Sequence, residues 1–250
     1  VFFIVFLRSL LRALPALIYL SMAVEQGLYD PSFEHDSCGI GFVANLKNKK
    51  SFQHIQNALD MLVNMEHRGG CGCEPETGDG AGILLQIPHS FYSDECEKIG
   101  FSLPSEGNYG VSMTFFPMDE KLREIVKSRF EEYVKRLGFE LLGYREVPTD
   151  NSMIGKTAKR VEPKVEQVFL KYTKSKDPKA LERRLVVLRK YAIRTIRSEM
   201  KGIDDSFYIA SCSAKKIVYK GMLRTDQVQQ YYLDLQNKNI SGKAAEIALD

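Results

Sequence analysis

The period of the apolar residues changes repeatedly along this chain, and each change marks an element. Cys38–Leu46 alternates and then runs apolar, which predicts a strand ended by the turn Lys47-Asn48-Lys49-Lys50. Ile55, Ala58, Leu59, Leu62, Val63 and Met65 then recur at helical spacing, so a helix is expected over 51–66. Gly69–Gly82 reads as a long loop and Ile83–Ile87 as a buried strand. Tyr109–Phe116 is a further strand, stopped by Pro117. Asp119 is placed to cap a helix that ends near Gly138. Phe139–Val147 and Val165–Thr173 read as strands. Asp177-Pro178 opens the longest helix, with Leu181, Leu185, Leu188, Ala192 and Ile196 toward the core. Phe207–Ser213 and Lys216–Lys220 are expected to pair as a hairpin. There is no internal repeat, and the mixture suits sheets flanked by helices in an α+β fold.

The two ends of the pattern differ from its middle. Val1–Leu20 is apolar but interrupted by Arg8, Arg12 and Pro15. It is short and charged near its centre for a membrane helix, and its arginines lie inside the apolar run, where a signal peptide would have them in front. The chain begins with Val, and Met22 opens a more ordinary start. Residues 1–21 are therefore read as upstream sequence in frame or as a targeting segment. Residues 22–37 are polar and turn-rich, with Asp30-Pro31 against any helix, and have the character of a short pro-segment.

Composition narrows the setting. A chain of 250 residues with 44% apolar content can bury one substantial core. Its five scattered cysteines argue against a disulfide framework and for a reducing, cytoplasmic compartment, with organelle targeting by residues 1–21 left open. The net charge is only +3, but residues 121–201 carry 22 Lys/Arg against 11 Asp/Glu. That stretch reads first as solvated helix faces and second as a face that docks on another part of a larger enzyme. Nucleic-acid binding is disfavoured, because no basic motif or stacking platform accompanies the charge.

Candidate chemistry gathers between His35 and Gly82. Cys38-Gly39 at the start of an apolar run puts a thiol at the mouth of a strand. Thirty positions on, Arg68 follows Glu66-His67 and precedes Gly69-Gly70, and Thr77-Gly78-Asp79-Gly80-Ala81-Gly82 completes a glycine-rich segment. An arginine fork among open backbone N–H groups suits a small zwitterion with a carboxylate. Arg68 equally suits a cap for the preceding helix. Asp79 between glycines is by default a turn residue, with Gly78, Gly80 and Gly82 accommodating the backbone, and His67 is a loop residue before it is a base. A phosphate loop is unsupported without Gly-Lys-Ser/Thr. Cys71-Gly72-Cys73 lacks a second pair of ligands at useful spacing, so no metal site is expected.

The run Glu34-His35-Asp36-Ser37-Cys38-Gly39-Ile40-Gly41-Phe42, then Glu66-His67-Arg68-Gly69, Thr77–Gly82, Ile87-Pro88-His89 and Ile217–Leu223 resembles the class II (Ntn-type) glutamine amidotransferase domain of the glutamate synthase large subunit. The resemblance extends from about Glu25 to Leu235 and fades over Gln236–Asp250. It implies a four-layer αββα sandwich, incomplete at its C-terminus, in a fragment of a longer chain. It implies cleavage at Ser37–Cys38, Cys38 as nucleophile, Arg68 on the glutamine α-carboxylate, and loop support from His67, Gly69, Asp79 and Gly80. The family's Asn-Gly oxyanion element and substrate-amine aspartate are expected beyond this chain, so the fragment alone is expected to be inactive or poorly folded. No cofactor is expected in this segment. FMN, an iron–sulfur cluster, synthase domains and a small NAD(P)H-oxidising subunit belong, by the same resemblance, to the rest of the enzyme. Two alternatives stand beside this reading: another class II amidotransferase or Ntn hydrolase, and a non-catalytic docking segment of the same fold.

Overall fold

The computed structural model describes residues 38–70, 74–200 and 206–249. The apolar extension, the pro-segment and the pair Cys71/Cys73 lie outside the described residues.

The helix-start signals act as caps. Ser51 accepts a hydrogen bond from Gln53 N at 3.1 Å and opens α1 (Phe52–Asn64). Asp119 accepts from Leu122 N at 2.7 Å and opens α3 (Glu120–Arg136). Asp177 accepts from the N–H groups of Lys179 and Ala180, with Pro178 in the first turn, and opens α5 (Pro178–Glu199). Each cap satisfies donors that helical geometry leaves unpaired and is worth about 1 kcal/mol. The buried stripes follow the expected spacing: Ile55, Ala58, Leu59 and Leu62 on α1, and Leu181, Leu185, Leu188, Ala192 and Ile196 on α5. Val63 falls off the α1 stripe and is exposed.

Eight strands form two antiparallel sheets. The first has the order β1-β8-β2-β7 and the second β4-β5-β3-β6. Their strands are β1 (Gly39–Ala44), β2 (Ala81–Gln86), β3 (Gly110–Phe116), β4 (Phe139–Glu146), β5 (Lys164–Tyr172), β6 (Tyr208–Ser213), β7 (Lys216–Gly221) and β8 (Ala244–Leu249). In the first sheet Ile83 lies opposite Tyr219 and Ile247, and Leu85 opposite Ile217 and Ala245, so one face is continuously apolar and buried. In the second, Val111, Met113, Val165 and Phe169 share a face and join that same core, together with the α1 stripe. The other face of the second sheet, with Phe116, Val168, Leu170 and Ile209, packs beneath α3 and α5 as a second core. The remaining face of the first sheet leaves Ile40 and Phe42 exposed.

Several elements depart from the expected pattern. Helix α2 (His89–Lys98) follows Pro88 without a side-chain cap and buries only Phe91, Tyr92 and Cys96, too little periodicity to announce it. Strand β8 falls where the sequence looks featureless, yet Ala245, Ile247 and Leu249 point inward with period two. The expected hairpin is not a paired one: β6 pairs with β3 and β7 with β2, and the turn between them crosses from one sheet to the other. Ser213 Oγ accepts from the N–H groups of Lys215 and Lys216 there, which bends the chain away from hairpin geometry.

A buried polar network ties the segment after the short helix α6 (Gln227–Tyr231) to the core. Asp234 receives both terminal nitrogens of Arg145 at 2.8 Å and the Tyr219 hydroxyl at 3.0 Å. Arg145 also donates to Gln167 and Glu95, and Gln167 donates to the Tyr92 and Tyr219 hydroxyls. The charges are buried and paired, as burial requires.

Candidate functional site

Sheet register brings the two halves of the sequence motif to one end of the first sheet. Leu249 lies opposite Gly39 on β1 and opposite Ala81 on β2. The start of β1 and the end of the glycine-rich loop, 42 positions apart in sequence, are therefore separated only by β8. Cys38, exposed and with a free thiol, stands at the mouth of β1.

The helix before Arg68 is pressed onto β1. A Cβ at Gly41 would fall 2.7 Å from Met61 Cε, and one at Gly39 would collide with Met65. Because neither position carries a side chain, the flexible tips of Met61 and Met65 can lie directly on the strand. The chain then makes one 3-10 turn, Glu66–Arg68, that swings Arg68 over the strand. Its Nη2 donates to the Cys38 carbonyl at 3.3 Å. The structure thus brings Cys38 and Arg68 together: the Arg68 guanidinium reaches the cysteine's carbonyl and not a carbonyl of α1. His67 and Gly69 are exposed on the same turn.

Asp79 and Gly80 shape the loop. The Asp79 N–H donates to the Gly70 carbonyl at 3.2 Å, and its carboxylate packs where a Gly70 side chain would stand. Gly80 has φ 153°, in the region that favours glycine.

Sequence reasoning did not find the residues that anchor this loop. Glu74 accepts from the N–H and hydroxyl of Thr157, on the short helix α4 (Lys156–Arg160), and from the Thr77 hydroxyl. The Thr157 hydroxyl bond is the largest cause holding the Glu74 carboxyl below its ordinary range. Gln227 donates to the carbonyls of Glu76 and Met153, and Arg224 to that of Pro75. Apart from the local Thr77–Glu74 bond, these contacts join positions about 75 to 150 apart in the sequence, so no local spacing signals them. Gln227, a polar residue, is almost wholly buried, a fact that only the structure reveals.

Beneath the loop lies a cavity of about 30 Å³, bordered by Gly70, Gly80, Ala81, Leu223, Thr225 and Leu249. It has room for a water or two. The Thr225 hydroxyl, buried and without a protein partner, lines it. The cavity is too small for an amino acid.

The other described cysteines are different in kind. Cys96 lies in the first core and Cys212 in the second, and burial pushes both thiols up to about 12. Among the described residues there is no cluster of three or more His, Cys, Asp or Glu able to hold a metal ion. With Cys96 and Cys212 in separate cores, the described cysteines do not gather as ligands of an iron–sulfur cluster.

Comparison with known proteins agrees with this geometry. The family described as "Glutamine amidotransferases class-II" matches residues 38–248. The match passes Leu235 and takes in β8, which corrects the expectation that the resemblance fades there. The chain is 43% identical over 221 residues to the large chain of an NADPH glutamate synthase from Bacillus subtilis, covering 88% of this chain and 14% of that one. It is 42% identical over 205 residues to a chloroplastic ferredoxin-dependent glutamate synthase of Oryza sativa, covering 82% and 13%. It is 37% identical over 218 residues to an NADH glutamate synthase of Schizosaccharomyces pombe, covering 85% and 10%. The chain therefore spans a small part of each relative.

Proposed function

This chain belongs to the class II glutamine amidotransferases, and on that premise we propose that it carries the glutaminase chemistry of a glutamate synthase, with Cys38 as nucleophile. The fold of that family is the Ntn-hydrolase fold. The observation that carries the proposal is the exposed Cys38 at the mouth of β1, in contact with Arg68, at the residue where the family match begins.

In this reading the chain is cut between Ser37 and Cys38, and the freed α-amine, of ordinary pKa about 7.7–8.0, takes the thiol proton. The sulfur attacks the side-chain carboxamide carbon of L-glutamine. The C–N bond breaks, the amine proton passes to the leaving nitrogen, and ammonia departs from a γ-glutamyl thioester. Water then cleaves the C–S bond, giving L-glutamate and restoring the thiol. Arg68 holds the α-carboxylate of glutamine with the donors it does not spend on the Cys38 carbonyl, so one side chain orients both nucleophile and substrate. His67, Gly69, Asp79 and Gly80 shape the turn and loop around that site.

In this reading the ammonia passes to a synthase region of the same polypeptide outside this chain, where FMN and the iron–sulfur cluster are expected. A small NAD(P)H-oxidising subunit is one electron source; the relatives' names include NADPH, NADH and ferredoxin. No helix among the described residues is long and apolar enough to cross a membrane. We place the enzyme in the cytoplasm, with an organelle open because some relatives are chloroplastic.

Intact mass and terminal sequencing of the natural gene product test the proposal directly. A chain that begins at Cys38, and loses glutaminase activity as Cys38→Ala, is expected. A chain that keeps Ser37 yet hydrolyses glutamine would remove the α-amine from the mechanism. Activity retained by Cys38→Ala would remove the nucleophile.

A further inference from the structure

The basic stretch over residues 121–201 plays no part in this chemistry, but part of it surrounds a second site. Among the described residues, strands β6 and β7 each end a sheet, and although consecutive they do not pair with each other. Helix α5 lies along β6. Its Arg189 Nε donates to the Ile209 carbonyl at 2.9 Å, and Arg197 Nη2 to the Phe207 carbonyl at 3.0 Å. Glu182 accepts from Ser213 Oγ at 2.6 Å and from Ala214 N at 2.9 Å. Side chains thus occupy edge groups that another strand would otherwise seek.

What remains is a groove of about 250 Å³ between α5 and the β6–β7 crossing. Leu84, Val186, Ala210 and Val218 make it apolar, and Arg189, Lys190 and Lys216 make it cationic. Its one carboxylate, Glu182, is already engaged by Ser213 and Ala214. Among the described residues, Lys190 and Lys216 enter no ion pair within 4.0 Å. The local field is positive by another sign: burial pushes the Tyr208 phenol up, but Lys220 and Arg189 outweigh it and bring the phenol below its ordinary value.

We propose that the groove between α5 and the β6–β7 crossing binds a small organic anion, a carboxylate on a short apolar body. Ligand sites combine an apolar lining with a few placed charged groups, and typical ones enclose about 300–1,000 Å³; at about 250 Å³ this groove falls just below that range and takes only a small ligand. The carboxylate faces Arg189, Lys190 and Lys216, and the apolar body lies on Leu84, Val186 and Val218. A zwitterion such as glutamine is disfavoured, because its ammonium would meet three cations and no available carboxylate. The site is therefore distinct from the one at Cys38.

The test uses hexanoate, hexan-1-ol and hexylammonium as probes matched in length, titrated into the full chain by calorimetry and saturation-transfer NMR. Hexanoate is expected to bind saturably and the other two much more weakly. The double variant Lys190→Glu/Lys216→Glu changes only exposed side chains and should keep its melting temperature while weakening hexanoate about tenfold. Val186→Asp, half exposed on α5, should weaken it comparably by charging the apolar wall. The proposal is overturned if hexanoate shows no saturable binding, if hexan-1-ol binds as well, or if the lysine reversals leave hexanoate affinity unchanged.

Discussion

Cys38, Cys96 and Cys212 occupy three different environments, and only one of them is reactive in outline. Only a thiolate is a good nucleophile, and an ordinary thiol titrates near about 8.5. Burial lifts Cys96 and Cys212 to about 12, so at pH 8 both stay protonated and gain thiolate only far above that pH. Iodoacetamide at pH 8 is therefore expected to modify Cys38 while Cys96 and Cys212 stay intact until denaturant is added, as read by peptide mass spectrometry. Glutamine should protect Cys38, and Arg68→Ala should abolish that protection if Arg68 holds the carboxylate. Undiminished protection in the variant would return Arg68 to the role of a brace on the Cys38 carbonyl. The pair was legible in the sequence because a cysteine before Gly-Ile-Gly and an arginine before Gly-Gly are local patterns. Glu74, Arg224 and Gln227, which anchor the loop, were not, since each acts on a partner far along the chain.

Elements with strong periodicity or a capping residue were readable, and those shaped by distant partners were not. Ser51, Asp119 and Asp177 cap helices where the sequence places caps. Helix α2 escaped notice because its buried side hangs on Phe91, Tyr92 and Cys96 alone, with Ser, Asp, Glu and Lys elsewhere. Strand β8 is short and alanine-rich, and its identity comes from lying between β1 and β2. The turn Leu233–Gln236 is likewise fixed from outside, by the Arg145–Asp234 pair reaching across from β4. That pair gives a prediction with an internal control. Asp234→Ala leaves a buried guanidinium without its main partner and should cost about 3–5 kcal/mol of unfolding free energy. Arg145→Met/Asp234→Leu removes both charges and should cost much less, although Tyr219 and Gln167 lose partners. Urea unfolding of the three proteins measures the difference. A double variant as damaged as the single would show that hydrogen bonds to Arg145, more than its charge, hold the segment.

The whole described region is organised by the second sheet, which is a shared wall. One of its faces, with Met113 and Phe169, belongs to the core that also contains β1 and α1. The other, with Phe116 and Leu170, belongs to the core beneath α3 and α5. A change in the outer core should therefore be felt by the sheet that supports the site, even though no outer-core residue approaches Cys38. Leu185 is the sharpest probe, because it is fully buried on α5 and packs against the bare backbone of Gly110 at the start of β3. Leu185→Ala removes the contact and opens a cavity, with an expected loss of about 2–5 kcal/mol. If the sheet couples the cores, far-ultraviolet circular dichroism and the alkylation rate of buried Cys96, in the opposite core, should report one midpoint, shifted equally in the variant. Two separated midpoints, with Cys96 still protected after the α3–α5 layer has melted, would mean that the cores fold independently. In that case the strand that positions Cys38 would owe its stability to β8 and α1 alone.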